Sequence, residues 1–192
     1  MAVLQNARLS DGRQVDLVVD GGHITAIHDA GEAPDADQAV DDLGGWLLLP
    51  AMAEPHAHLD KALTAEKVPN PTGDLLGAID AWISAAAAGM FTHEDTVERA
   101  AAAMELLLVH GVTLVRTHVN VMGDNQTKAL RAVVEAAELF EGLLDVQTVA
   151  LTSSPITGPE GAANRAALTA AIDEGFGYVG GCPHLDPDGP GL

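Results

Sequence analysis

The chain has 192 residues, enough to bury a core and to form one domain with a small second one. Its formal net charge is −19, which argues against binding to nucleic acid or to anionic membranes. No apolar run reaches the roughly 18 residues of a membrane helix, and the N-terminus lacks the pattern of a secretion signal. The single cysteine, Cys182, fits a reducing compartment, so we expect a cytoplasmic protein.

The N-terminal part has the pattern of a small β unit. Three short strands are predicted, at residues 3–9, 14–20 and 23–28. Apolar and polar residues alternate in the second of them, and the Asp20-Gly21-Gly22 sequence that follows is typical of a tight turn. Residues 29–42 are rich in Ala, Asp, Glu and Pro and are predicted to be an exposed loop. The first domain is therefore placed at residues 1–50.

The remaining sequence alternates between strand and helix patterns. The apolar run from Trp46 to Ala53 is predicted to be a buried strand. Further strands are predicted at residues 112–119, 144–151 and 177–182, and helices at residues 74–88, 92–110, 126–140 and 160–175. Alternation of this kind indicates a parallel sheet with helical crossovers. The second domain, residues 51–192, is thus expected to contain four β/α units.

Two histidines stand where the first of these strands ends. His56 and His58 belong to the sequence Pro55-His56-Ala57-His58-Leu59-Asp60-Lys61. Side chains at positions i and i+2 of a strand point to the same face of the sheet. Neutral imidazole is a common ligand of zinc and iron, and α/β barrels carry their chemistry at the carboxyl ends of the strands. The pair is therefore predicted to bind a metal ion.

Four stretches, in order along the chain, carry a family resemblance. They are Glu54 to Lys61, Val115-Arg116-Thr117-His118-Val119-Asn120-Val121, Asp145-Val146-Gln147-Thr148-Val149-Ala150 and Val179-Gly180-Gly181-Cys182-Pro183-His184. The first resembles the metal motif of the amidohydrolase superfamily. All four are similar to motifs of its bacterial cytosine deaminase and isopropylammelide aminohydrolase branch. The resemblance covers almost the whole chain but only the first half of such an enzyme.

The resemblance implies a fold and a chemistry. The expected fold is the N-terminal half of a (β/α)8 TIM-type barrel, preceded by a segment of a β-sandwich. The expected reaction is hydrolysis of a C–N bond of a small heterocycle by hydroxide bound to one divalent metal, zinc or iron. His56 and His58 would be two of its ligands. The other ligands and the catalytic acid and base belong to the half that the resemblance does not reach, so no catalytic residue is assigned here and the isolated chain is expected to be inactive.

The same resemblance suggests residues of the substrate pocket. Leu75 matches a leucine that packs against the base in cytosine deaminases. Ser153 stands where those enzymes have a glutamine that reads the pyrimidine edge, and a hydroxyl cannot make that bidentate contact. We therefore expect an aminated or amidic heterocycle other than cytosine. His184 is predicted to contact substrate, and Asp60 and His118 are further candidates.

Alternative interpretations follow from the same sequence. A cyclic-amide hydrolase of the dihydroorotase or hydantoinase type shares the H-x-H pair but usually has a metal-bridging lysine on its fourth strand. The predicted fourth strand, Gly177 to Cys182, contains none, which counts against that class. A non-catalytic remnant, or one half of a split enzyme, is an alternative of another kind. An open barrel edge would then favour self-association or a partner chain that supplies the C-terminal half.

Overall fold

The computed structural model describes residues 1–34, 40–122, 127–183 and 186. The chain divides into two compact units, Met1–Ala51 and Met52–Leu192. Within those described ranges, no helix has both the length and the apolar character needed to cross a membrane.

The first unit is a four-stranded sheet. Its strands are β1 (Ala2–Arg8), β2 (Gln14–Asp20), β3 (His23–Asp29) and β4 (Val40–Asp42), in the order β3-β2-β1-β4. The three N-terminal strands are confirmed and pair antiparallel, while β4 runs parallel to β1. The loop predicted at residues 29–42 is contradicted at its end, where Val40–Asp42 forms β4, and its residues 35–39 lie outside the described residues. β4 is too short to show a hydrophobic period, and its strand character comes from pairing with β1.

The buried strand predicted from Trp46 to Ala53 was also wrong, because the apolar run is divided between the two units. The amide of Arg8 donates to the carbonyl of Trp46, and the amide of Leu48 donates to the carbonyl of Arg8. This part of the run therefore bonds to the end of β1, and Trp46 is 80% exposed. Pro50, which has no N–H to donate, follows it. The strand that carries the histidines begins only at Met52.

The second unit contains a parallel sheet, as predicted. Its strands are β5 (Met52–Ala57), β6 (Val112–Val121), β7 (Asp145–Thr152) and β8 (Tyr178–Gly180), and they lie side by side in sequence order. The four predicted helices are α1 (Leu75–Ala87), α2 (His93–Val109), α3 (Lys128–Glu138) and α4 (Ala162–Asp173). The predicted start of the third helix, Gln126, lies outside the described residues. Mixed α/β architecture is therefore confirmed.

The core of this unit lies between the sheet and helices α2, α3 and α4. The fully buried side chains include Met104 on α2, Leu130 on α3 and Val115 and Val119 on β6. Helix α2 begins where the sequence predicts, since the Thr92 hydroxyl accepts a hydrogen bond from a backbone amide of the first turn. Helix α1 differs, because several of its apolar side chains are exposed: Leu75, Leu76, Ile79 and Ile83.

Candidate metal and substrate site

The histidine pair lies at the carboxyl end of β5. His56 is in the strand and His58 directly follows it, and their ring centroids are 5.2 Å apart. Nδ1 of His58 is 2.8 Å from the carbonyl oxygen of His118. A carbonyl oxygen can only accept a hydrogen bond, so Nδ1 must carry the proton. This tautomer leaves Nε2 of His58 with a free lone pair, the arrangement found in histidines that bind metals.

A third histidine ring lies against this pair. The ring of His118, on β6, stacks on that of His56 with centroids 4.3 Å apart and planes inclined by 22°. Its centroid is 5.9 Å from that of His58. In the part of the chain that the structure describes, the buried Nδ1 of His118 has no hydrogen-bond partner. Over the same residues, no group of three or more His, Cys, Asp or Glu side chains has a metal-binding arrangement. The described residues thus bring two histidine rings together and stack a third against one of them.

The environment lowers the pKa of two of these rings, those of His58 and His118. Burial lowers the pKa of His58, and the positive charge of Lys61 lowers it further. The pKa of His118 is lowered by burial first and then by the neighbouring rings of His56 and His58. Neutral imidazole is the form that binds a metal ion, so the environment favours the ligand state at neutral pH.

The loop after His58 is fixed to β6 by hydrogen bonds. The carboxylate of Asp60, which is only 2% exposed, accepts from Lys61 Nζ at 2.9 and 3.1 Å and from the backbone N–H of Asn120 at 3.1 Å. Lys61 also donates to Oδ1 of Asn120 at 2.9 Å. The buried amide of Leu59 donates to Oγ1 of Thr117 at 2.9 Å. Asp60 therefore orders the loop, and its carboxylate is occupied by these contacts.

An open groove of about 360 Å³ borders the histidine pair. Its lining includes Glu54 on β5, Leu106 and Leu107 on α2, and His110 directly after that helix. The Glu54 carboxylate accepts a hydrogen bond from the His56 amide at 3.0 Å. This hydrogen bond keeps the Glu54 carboxylate beside the backbone N–H of His56.

The predicted substrate residues are less closely associated with the pair. Leu75 is the first residue of α1 and is 75% exposed. Ser153 follows β7, is half-buried, and donates through Oγ to Sδ of Met122 at 3.4 Å. Across the described ranges, no hydrogen bond or ring contact joins either side chain to the histidines. His184 lies outside the described residues, so all three stay predictions.

Two residues near the site were missed by sequence reasoning. They are Trp82 of α1 and Arg99 of α2, whose side chain is 7% exposed. Nζ of Lys61 is 5.1 Å from the Trp82 ring centroid. Arg99 donates to the backbone of the loop after His58. The available signal was Asp95, four residues before Arg99, a spacing typical of a helical ion pair.

Proteins of one superfamily are similar to this chain in sequence and in fold. The homologues of the chain are deaminases and amidohydrolases of the amidohydrolase superfamily, which confirms the resemblance to the N-terminal half of such enzymes. A pterin deaminase of Rhizobium rhizogenes is 31% identical over 175 residues, which are 91% of this chain and 39% of the relative. No protein-family model matches the chain.

Two further relatives agree. An N-isopropylammelide isopropyl amidohydrolase of Pseudomonas sp. strain ADP is 30% identical, over 96% of this chain and 45% of its own length. The crystal structure of 5-methylcytosine deaminase from Klebsiella pneumoniae, liganded with 5-fluorocytosine, superposes with a TM-score of 0.81 and 35% identity. The superposition covers 96% of this chain and 44% of the deaminase chain. The chain thus spans less than half the length of these relatives.

Proposed function

We propose that the chain forms the N-terminal portion of a metal-dependent amidohydrolase that cleaves a C–N bond of a small heterocycle. The observation that carries this proposal is the hydrogen bond from His58 Nδ1 to the His118 carbonyl, which leaves Nε2 free beside His56. The sequential parallel order β5-β6-β7-β8 supports assigning residues 51–192 to the first four β/α units of a barrel. Residues 1–50 would be part of a composite β-sandwich.

The residues present fit one part of a metal site. His56 and His58 would hold one divalent ion, zinc or iron, and the stacked His118 ring would limit how far His56 can turn. When bound, such a metal lowers the pKa of its water to about 7 and supplies hydroxide near neutral pH. The bonds of Asp60 and Thr117 keep the loop after the pair in place. A catalytic site needs at least three protein ligands, so the described pair is expected to hold the metal weakly.

The proposed substrate is an aminated or amidic heterocycle. The names of the relatives, pterin deaminase, 5-methylcytosine deaminase and isopropylammelide amidohydrolase, support this class without fixing the ring. Ser153 in place of a glutamine favours a ring other than cytosine. Since the chain spans less than half of these relatives, we propose that the other ligands and the proton-transfer groups come from a C-terminal portion. That portion would be part of the same polypeptide or of a partner chain.

A zinc titration tests the metal-binding half of this proposal. Competition with a chromogenic chelator would measure the zinc affinity of the parent chain and of the His56→Ala and His58→Ala variants. Loss of an outer-shell partner typically costs about 10–100-fold in metal affinity, so loss of a ligand should cost at least about tenfold. The control is His23→Ala, because His23 is an exposed histidine of the first unit. Equal affinities in the His58→Ala and His23→Ala variants would contradict the proposal.

Ammonia or amine release tests the reaction class. The zinc-loaded chain would be incubated with aminopyrimidine, aminotriazine and pterin substrates. We expect no turnover from the isolated chain, because its described residues bring only two ligands together. Turnover that is abolished by His58→Ala would support the reaction class and overturn the expectation of inactivity. Failure of the parent chain to bind zinc at all would favour the non-catalytic alternative.

A further inference from the structure

Four side chains near the histidine pair form a stack in which two cations enclose two aromatic rings. Nζ of Lys61 is 5.1 Å from the centroid of the Trp82 ring. The Trp82 and Phe91 rings are parallel to within 17°, with centroids 5.6 Å apart. The Arg99 guanidinium carbon is 5.2 Å from the centroid of Phe91. These separations are in the range of favourable cation–π and offset stacking contacts.

The stack joins segments that are distant in sequence. Lys61 belongs to the loop after β5, Trp82 to α1, Phe91 to the turn before α2, and Arg99 to α2. Helix α1 has several exposed apolar side chains. Burial of apolar surface therefore contributes less to the position of α1 than to the position of α2. The contact of Trp82 with Lys61 and Phe91 therefore matters for where α1 lies.

Both cations also bind the loop that follows the histidine pair. One terminal nitrogen of Arg99 donates to the carbonyl oxygens of Asp60 at 3.0 Å and Ala62 at 2.8 Å. Its Nε donates to the Asp95 carboxylate at 2.8 Å, which fixes the guanidinium plane. Lys61 in turn donates to the Asp60 carboxylate. Arg99 thus bonds the backbone of this loop, and Lys61 bonds its Asp60 side chain. These are the same two cations that lie at the ends of the stack.

We propose that Lys61 and Arg99 are positioning residues, which act through Trp82 and Phe91 to fix the histidine pair and helix α1 relative to each other. The inference rests on the proposed metal-binding role of that pair. Helix α1 also carries Leu75 at its first residue, so the stack would set the place of this predicted substrate residue. Neither cation is proposed to contact the metal or the substrate.

Tryptophan fluorescence tests the stack without any metal. The chain has two tryptophans, so a Trp46→Phe background leaves Trp82 as the single emitter. Lys61→Met and Arg99→Met remove each cation while keeping an apolar stem. Both changes should move the Trp82 emission to longer wavelength and increase its quenching by acrylamide, because the ring loses a packed neighbour or the helix holding it moves. The control is Arg165→Met, since Arg165 also bridges two backbone carbonyls, those of Ile156 and Gly158.

Zinc affinity, measured on the same variants, tests the positioning role. Lys61→Met and Arg99→Met should weaken zinc binding by about threefold to tenfold, less than the cost of about 10–100-fold for losing a partner that bonds a ligand directly, because both cations bond the loop after His58 and not its ring. Arg165→Met should stay within about twofold of the parent, as surface substitutions usually do. The Lys61 side chain is 26% exposed, so its variant is expected to fold even if Arg99→Met does not. Arg99→Lys, which keeps the charge but loses the planar fork, should recover only part of the affinity.

The outcomes separate this inference from the proposed function. Unchanged zinc affinity in the Lys61→Met variant of a zinc-binding parent would overturn the positioning role alone. An unchanged Trp82 spectrum in both cation variants would likewise overturn it, because the stack would then hold nothing in place. A parent chain that binds no zinc would overturn the proposed function and, with it, this inference.

Discussion

Replacing Thr117 with valine isolates one hydrogen bond that connects β6 to the loop after the histidine pair. Thr117 is fully buried, and its Oγ1 accepts from the buried amide of Leu59 at 2.9 Å. Valine has nearly the same shape, so the change removes the acceptor and leaves the amide without a partner. An unsatisfied buried donor costs about 1–3 kcal/mol, and we expect the free energy of unfolding to fall by that amount.

Two comparisons make this prediction specific. Thr117→Ser keeps the hydroxyl and removes one methyl group, which should cost about 1 kcal/mol. Thr169→Val makes the same change on the exposed face of α4, where water can replace the lost bond to the Arg165 carbonyl, and should cost less than about 0.5 kcal/mol. Urea unfolding followed by circular dichroism measures all three. A loss for Thr117→Val no larger than that for Thr169→Val would refute the role of this bond.

Three other substitutions test contributions to the stability of the fold. The hydrogen bonds from Arg131, and then that from Thr127, lower the pKa of Glu174 to about 2 from its usual 4.5. Because the folded-state pKa is depressed, this contribution to stability is fully present above about pH 4.5 and is lost as the pH falls towards 2. Glu174→Gln should therefore be less stable than the parent at pH 6, with the difference closing by pH 2, and a pH-independent difference would contradict this. Met104→Ala, in the core, should cost about 2–5 kcal/mol, whereas Val109→Ala on the exposed end of the same helix should cost less than about 0.5 kcal/mol, both measured by urea unfolding.

Most of the secondary structure was predicted correctly because the residues that begin and end each element lie within or next to it in the sequence. Helix α2 is an example, since Thr92 supplies an N-cap and Gly111, with its positive φ, follows the end of the helix. The prediction failed where pairing decides the structure. The run from Trp46 to Ala53 is apolar throughout, yet its first part bonds to Arg8 and only its last two residues enter β5. Within the run, Pro50 is a signal of a break because it has no N–H to donate, but nothing in the run indicates that its first part pairs with Arg8.

In the candidate site, too, contacts between neighbours in the sequence were predicted, whereas contacts between distant residues were not. The H-x-H spacing predicted that His56 and His58 are neighbours, and their rings do lie 5.2 Å apart. The acceptor that fixes the His58 tautomer is a backbone carbonyl sixty positions away, which no sequence pattern identifies. The stack from Lys61 to Arg99 likewise depends on how α1 and α2 pack against one loop. The family resemblance suggested His56 and His58 as metal ligands, whereas only the structure shows which hydrogen bond and ring contact orient their side chains.

A long-range proton–nitrogen NMR spectrum of the histidine rings directly measures the tautomer of His58 and its response to zinc. The resonances would be assigned with the His56→Ala and His58→Ala variants. We expect His58 to be neutral with its proton on Nδ1, and zinc to shift the signals of His56 and of His58 Nε2 before that of His23, a histidine of the first unit. A His58 ring protonated on Nε2, or zinc shifts confined to histidines elsewhere, would contradict this expectation.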